Sequence, residues 1–293
     1  MITRRCFVIF FVVILTASLG TLRTDAANCL WKVSSENGGV LYIQGSVHVL
    51  KAENHPLAPA IEAAYAESSE LVLEVDMAEM TSPETQQLLL GKGMLQQPDT
   101  LKSVLDPETY LKLEAAAAEA GLPMLAIQQF KPWLASITLV MVKMQKMGLH
   151  PQYGLDTHFF TKAKSDGKPV IGLETVDFQI NLFDNLANQN PNDFINRSLS
   201  DLDLMEKEIG QILDAWKTGD IASLEKLLLK SFAEYPELYG KFITARNIAW
   251  AEKLTKMLQE KKTVMVVVGA GHLPGEKGLI NLLEQKGFAI EQL

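Results

Sequence analysis

The sequence predicts an α/β fold of the α+β kind, a mixed central β-sheet covered by helices with a large helical middle. Two observations predict it. Apolar runs of strand length lie at both ends of the chain and near residue 170, with long helical stretches between them. Two of these runs end in Gly-x-x-His: Gly45-Ser46-Val47-His48 follows Val40-Leu41-Tyr42-Ile43, and Gly269-Ala270-Gly271-His272 follows Thr263-Val264-Met265-Val266-Val267-Val268. A histidine just past a buried strand stands at the rim of a sheet, where open α/β folds bind ligands.

The elements follow in order. Leu30–Val33 and Val40–Val47 are expected strands of a hairpin, joined through Ser34-Ser35-Glu36-Asn37-Gly38-Gly39 with Asn-Gly as its turn. A helix is expected from Pro56 to Ser68, and Leu71-Val72-Leu73-Glu74-Val75 is a short buried strand. Helices are expected from Ser82 to about Gln97 and from Asp106 to Ala120, the second with Asp-Pro at its start and Gly121 at its end. Lys131 to Met147 places Met141, Met144 and Met147 on one helical stripe, which suits core packing better than a ligand face. Asp156 to Lys164 is a further helix, and Lys168 to Leu173 a strand entering a turn. Helices then run from Asp177 to about Gln259, with breaks near Asn190-Pro191, Gly219-Asp220 and Tyr235-Pro236. Strand Thr263–Val268, helix Gly278–Lys286 and strand Phe288–Glu291 close the chain.

The first 26 residues have the order of a secretory signal peptide: Arg4 and Arg5, the apolar run Phe7–Leu15, then small residues up to Thr24-Asp25-Ala26. The apolar run falls short of the roughly 20 residues that a comfortable span needs, so no stable membrane span is expected after cleavage. The protein is therefore expected to be exported, periplasmic or secreted, as a single domain over 27–293. The segment removed carries a net +2, so the formal charge of −8 becomes −10. Such acidity argues against nucleic acid as a partner, because phosphate binding needs Lys and Arg. Cys29 alone remains after cleavage, which leaves no internal disulfide. Its expected role is packing.

Several polar residues sit where a site would need them. His48 and His272 share one strand–turn context, and neutral imidazole is a metal ligand or a general base near neutral pH. His55, His150 and His158 lack that context and are expected to be surface or packing residues. Glu74 lies inside a buried strand, on the face it shares with Val72 and Asp76. A carboxylate there is costly unless it pairs with an arginine or a cation. Glu174 follows a strand, and Asp156 stands near a helix start, where N-capping is a plain alternative to substrate binding. Arg246 and Trp250 share a helix face, and Arg246 can hold Glu74 or Glu174 or bind a substrate carboxylate. Two imidazoles and one or two carboxylates form the usual ligand set of a hydrolytic divalent metal. His-Glu-x-x-His, a P-loop and Gly-x-Ser-x-Gly are all absent from the chain.

These motifs resemble the TraB/GumN family, whose animal relatives are the Tiki proteases. The resemblance runs through Leu30-Trp31-Lys32-Val33, Gly45-Ser46-Val47-His48, Leu73-Glu74-Val75-Asp76, Lys131-Pro132-Trp133, Gly154-Leu155-Asp156, Gly172-Leu173-Glu174-Thr175, Arg246-Asn247 and Gly269-Ala270-Gly271-His272. It implies a sheet between helices with both Gly-x-x-His motifs at one site. It also implies a peptidase dependent on a divalent metal, manganese or cobalt for preference and zinc as a further candidate. By that likeness His48 and His272 are metal ligands and Glu74 a ligand or general base. Glu174, Asp156, Arg246 and Asn247 support the pocket, with Arg246 or Asn247 steadying substrate or the tetrahedral oxyanion. The implied partner is a peptide or another small substrate. Two alternatives stand beside it: a metal-free esterase-like hydrolase in which a histidine and a glutamate act directly, and a non-catalytic binder of haem, metal or peptide.

Overall fold

The computed structural model describes residues 28–228 and 236–293. Residues 1–26, expected from the sequence to be a signal peptide, and Tyr235, at an expected helix break, lie outside these. Strands β1 (Leu30–Ser34) and β2 (Val40–Ser46) pair antiparallel, as the hairpin pattern predicts, and Gly38 turns between them at φ 92°. Strands β3 (Glu70–Val75), β4 (Val170–Glu174) and β5 (Thr263–Gly269) follow, and β6 (Ala289–Gln292) ends the chain. The sheet is six-stranded, in the order β4-β3-β5-β2-β1-β6. β4, β3, β5 and β2 are parallel to one another; β1 pairs antiparallel with β2, and β6 antiparallel with β1, at the far edge from β4.

This topology has one consequence for function. The parallel strands all end on the same side, so Ser46, Val75, Glu174 and Gly269 are delivered to one rim. β2 and β5 are buried along almost their whole length, on both alternating faces, so helices must cover both sides of the sheet. α1 (Pro59–Glu67) and α8 (Leu155–Asp166) lie together, with Tyr65 and Phe159 stacked at 5.4 Å. α13 (Ala245–Gln259) buries Trp250, Leu254 and Leu258 in the same core as the sheet residues Val266 and Val267.

The remaining helices adjust the expected boundaries. α1 begins at Pro59 rather than Pro56, with Pro59 in its first turn. Short helices α2 (Met77–Met80), α4 (Leu101–Val104) and α6 (Met124–Ile127) appear where no helix was expected; each is a single turn, too short for periodicity to show. α3 (Pro83–Gly93) stops before Gln97, and α5 (Pro107–Ala120) runs from its Asp106 cap to Gly121 in the left-handed conformation. In α7 (Pro132–Lys146), Met144 is in the core and Met147, just past its end, packs against it, so the methionine stripe is largely packing. α9 (Val176–Gln189), α10 (Pro191–Lys217) and α11 (Ile221–Leu228) break where Asn190-Pro191 and Gly219-Asp220 predict. α12 (Pro236–Tyr239) leads through a π-helical turn, Gly240–Thr244, into α13, and α14 (Leu279–Gln285) precedes β6. Among the described residues, no helix is long and apolar enough to cross a membrane.

Candidate functional site

Both Gly-x-x-His motifs meet at the rim. His48, Glu74, Arg246 and His272 form the floor of a cavity of about 420 Å³. Gly269 stands where they converge: a Cβ on it would come within 3.1 Å of Glu74 Oε1, 3.6 Å of His272 Cδ2 and 3.6 Å of His48 Nε2. Only the Glu74 approach is tighter than ordinary packing, so a methyl there would press on that carboxylate and touch the two rings. The Gly269 N–H donates to Glu74 Oε1 at 2.8 Å.

Each imidazole is held from behind by a different residue. His48 Nδ1 lies 2.8 Å from Asp156 Oδ2, and Ser46 Oγ donates to the same oxygen at 2.5 Å. Asp156 is not the expected N-cap. Gly154 is the N-cap of α8, at a place where a Cβ would stand 2.1 Å from the His48 carbonyl oxygen, and Asp156 falls in the first turn. His272 Nδ1 lies 2.7 Å from Asn247 Oδ1. The Asn247 amide nitrogen donates to the carbonyls of His272 at 3.0 Å and Lys277 at 2.8 Å, so its oxygen is the acceptor and His272 Nδ1 carries the proton. His272 Nε2 is therefore a bare acceptor, and it takes a hydrogen bond from Arg246 Nη1 at 3.1 Å.

Arg246 is the hub. Its Nε donates to both oxygens of Glu174 at 3.0 Å, and its Nη2 donates to Glu74 Oε2 at 2.6 Å and Glu174 Oε2 at 2.9 Å. Nη1 donates also to the Phe242 carbonyl at 3.1 Å, inside the π-helical turn. The guanidinium stacks 4.6 Å over the Trp250 ring, the helix-face neighbour that the spacing predicts. Guanidinium has five N–H donors, and the protein engages all five. The oxyanion role expected of Arg246 or Asn247 therefore finds no spare donor on Arg246. Asn247 is fully buried behind His272. Arg246 binds both Glu74 and Glu174, where the sequence left a choice between them.

The electrostatics separate the two histidines. Burial pushes His272 down to about 4, against the pull of Glu74, so it is neutral. The Asp156 carboxylate raises His48 above its ordinary 6.5, and Glu74 adds to the effect while burial opposes it. The His48 side chain is 64% exposed, so water screens part of that attraction. Burial raises Glu74, but the fields of His272, His48 and Arg246 overcome it and hold the carboxyl at about 2.

Gln179 on α9 was not foreseen: its Nε2 lies 3.2 Å from Glu74 Oε2 and 3.3 Å from Glu174 Oε2. Ser46 and the apolar walls were not foreseen either; they come from α9, α10, α11 and the π-helical turn. Glu174, Asp156 and Asn247 stand behind the cavity rather than lining it. His55 and His158 tilt against each other at 5.0 Å outside the cavity lining, and His150 packs edge-on against Tyr153. Cys29 is buried and its thiol is pushed up to about 12 by that burial, which fits packing. Among the described residues, no three His, Cys, Asp or Glu side chains stand close enough together to grip a metal as arranged.

The comparisons with known proteins agree with these motifs. YbaP of Escherichia coli strain K12, an uncharacterized protein, is 24% identical over 242 residues, which cover 83% of this chain and 87% of YbaP. YbaP of Shigella flexneri matches to the same extent. No solved structure matches the chain. The pattern of the TraB/PrgY/gumN family matches residues 29–292, and the chain belongs to that family.

Proposed function

We propose that the chain is an exported hydrolase, a peptidase, whose cavity works with a divalent cation: manganese, cobalt or zinc. One observation carries this reading. Asp156 and Asn247 engage the Nδ1 atoms of His48 and His272, which turns both Nε2 atoms toward the cavity floor beside Glu74, where His272 Nε2 accepts from Arg246 Nη1. Outer hydrogen bonds of this kind orient metal-binding histidines and fix their tautomers. Two imidazole nitrogens and a carboxylate are the donor types such an ion takes; His48, His272 and Glu74 would hold it only after drawing closer together and after Arg246 gives up its hydrogen bonds to His272 Nε2 and Glu74 Oε2. When bound, it would lower the pKa of a water and polarise a substrate carbonyl.

The chain's own residues do the rest. Glu74 stays ionised and can accept a proton within the cavity. Asp156 fixes the ring plane of His48, and Asn247 keeps His272 neutral with Nε2 bare. Arg246 keeps Glu74 and Glu174 from repelling each other in a buried place. The apolar walls limit water around the reacting bond.

A second, metal-free reading has its own support. Arg246 already donates to Glu74 and to His272 Nε2, where a cation would stand, and the ionised Glu74 with His48, held by Asp156, forms a carboxylate–histidine pair that can act directly as base and acid. One experiment separates the two. The protein is stripped with chelator, refilled with Mn²⁺, Co²⁺ or Zn²⁺, and assayed on peptide libraries beside His48→Ala and His272→Ala. Cleavage that vanishes on stripping and returns with metal supports the first reading. Chelator-resistant hydrolysis supports the second. Both variants retaining full metal content and cleavage overturns the site itself.

A further inference from the structure

The cavity is polar only at its floor. Its titratable lining groups, among the described residues, are His48, Glu74, Arg246 and His272. Above them α10 presents Met205, Ile209 and Ile212 at positions i, i+4 and i+7, one continuous apolar stripe facing the cavity. The rings of Phe183 and Phe242, tilted against each other at 5.2 Å, also line it. The same two rings line a second cavity of about 720 Å³, bordered by Asp193, Arg197 and Lys241. They therefore stand between the site cavity and a neighbouring one whose border carries charged residues. The π-helical turn sets Phe242 in this partition, and its carbonyl is tied to Arg246 at 3.1 Å. Such turns occur often at functional sites.

We propose that the substrate carries a large aliphatic or aromatic side chain on a residue flanking the bond to be broken. That side chain lies along the Met205–Ile209–Ile212 stripe, and Phe183 and Phe242 set its greatest length. Apolar walls gain by taking an apolar group from water, whereas a charged side chain would be desolvated among them without a partner. A chamber of about 420 Å³ is within the range of small-ligand sites and has room for such a group beside the reacting bond. The bond-breaking part rests on the hydrolase reading; the recognition does not.

The test measures binding apart from turnover. Capped pentapeptides Ala-Ala-Xaa-Ala-Ala, with Xaa as Ala, Val, Leu, Phe, Trp, Asp or Lys, are titrated calorimetrically into the full-length His48→Ala protein. Affinity is expected to rise about 10-fold or more from Ala to Leu and Phe, with Asp and Lys no tighter than Ala. In the same background, Ile209→Trp fills the stripe and abolishes the gain for Leu and Phe. Phe183→Ala opens the partition and moves the optimum to Trp, and Phe242→Leu does so more mildly while keeping an apolar residue beside Arg246. Circular dichroism confirms that each variant is folded. Affinity independent of Xaa, preference for Asp or Lys, or no binding of any peptide overturns the proposal. Parallel incubation with the unmutated protein keeps the two ideas apart: peptides bound in the expected order but left uncut would sink the hydrolase reading and leave the recognition standing.

Discussion

Arg246 Nη2 lies 2.6 Å from Glu74 Oε2, and the same guanidinium reaches Glu174 and His272. One buried cation thus joins the ends of β3 and β4 to the second histidine motif. Arg246 is 8% exposed, so its removal strands two carboxylates away from water. Arg246→Ala is expected to cost about 3–5 kcal/mol of stability, the usual penalty for breaking a buried ion pair from one side. Arg246→Lys keeps the charge but cannot serve all these acceptors, and should fall between. Urea denaturation of both variants checks this; a loss under about 1 kcal/mol for Arg246→Ala would contradict the hub.

His48 and Asp156 give a direct titration. Asp156 holds the imidazolium form of His48, so the His48 pKa in the folded protein lies above 6.5. A group raised in this way contributes stability below its unfolded pKa and loses it as pH rises through the folded one. Asp156→Asn should return the His48 NMR titration toward 6.5 and remove that alkaline loss. An unchanged midpoint would show that the contact does not govern the ring.

Glu74 predicts the opposite limb. Its carboxyl falls from 4.5 to about 2 in the fold. Its contribution is complete above about pH 4.5 and disappears as pH falls toward 2. The stability gap between the unmutated protein and Glu74→Gln should therefore be widest near neutrality and shrink through that window. Thermal melts at half-unit pH steps measure it.

Asn247 fixes a tautomer. Asn247→Leu leaves the His272 Nδ1–H and two backbone carbonyls without their partner, at a cost of about 1–3 kcal/mol for each group left unpaired. Asn247→Asp supplies an anion at the same place, and the His272 pKa, now about 4, should rise. Nitrogen NMR of the His272 ring reads both tautomer and charge.

The close approach at Gly154 yields a steric prediction. A Cβ there meets the His48 carbonyl oxygen at 2.1 Å, so Gly154→Ala must displace the His48 loop or the start of α8. Hydrolysis or peptide binding should fall at least tenfold while the far-UV spectrum keeps its helical form.

Much of the framework was legible in the chain. The runs that became β1 to β6 announced themselves as short apolar-rich stretches, and Asp106-Pro107 with Gly121 marked both ends of α5. The two histidines and Glu74 stood out because polar residues at the ends of, or within, such strands need a reason. The one-turn helices α2, α4 and α6 did not stand out, because four residues carry no period. The walls of the cavity were equally hidden: Met205, Ile209 and Ile212 show an apolar stripe, and such a stripe looks the same whether it meets a core or a void.

By itself, then, the sequence determined the strands, the helical middle and the polar residues at the strand ends, since hydrophobic period and turn chemistry are local properties. Only the tertiary structure decided the partnerships. Asp156 went to His48 across 108 residues, Asn247 to His272, and Arg246 to Glu74 across 172 residues as well as to Glu174. Hydrogen bonds depend on atoms a few ångströms apart, and which distant atoms come that close is set by the parallel order of β4, β3, β5 and β2, which gathers their ends at one rim.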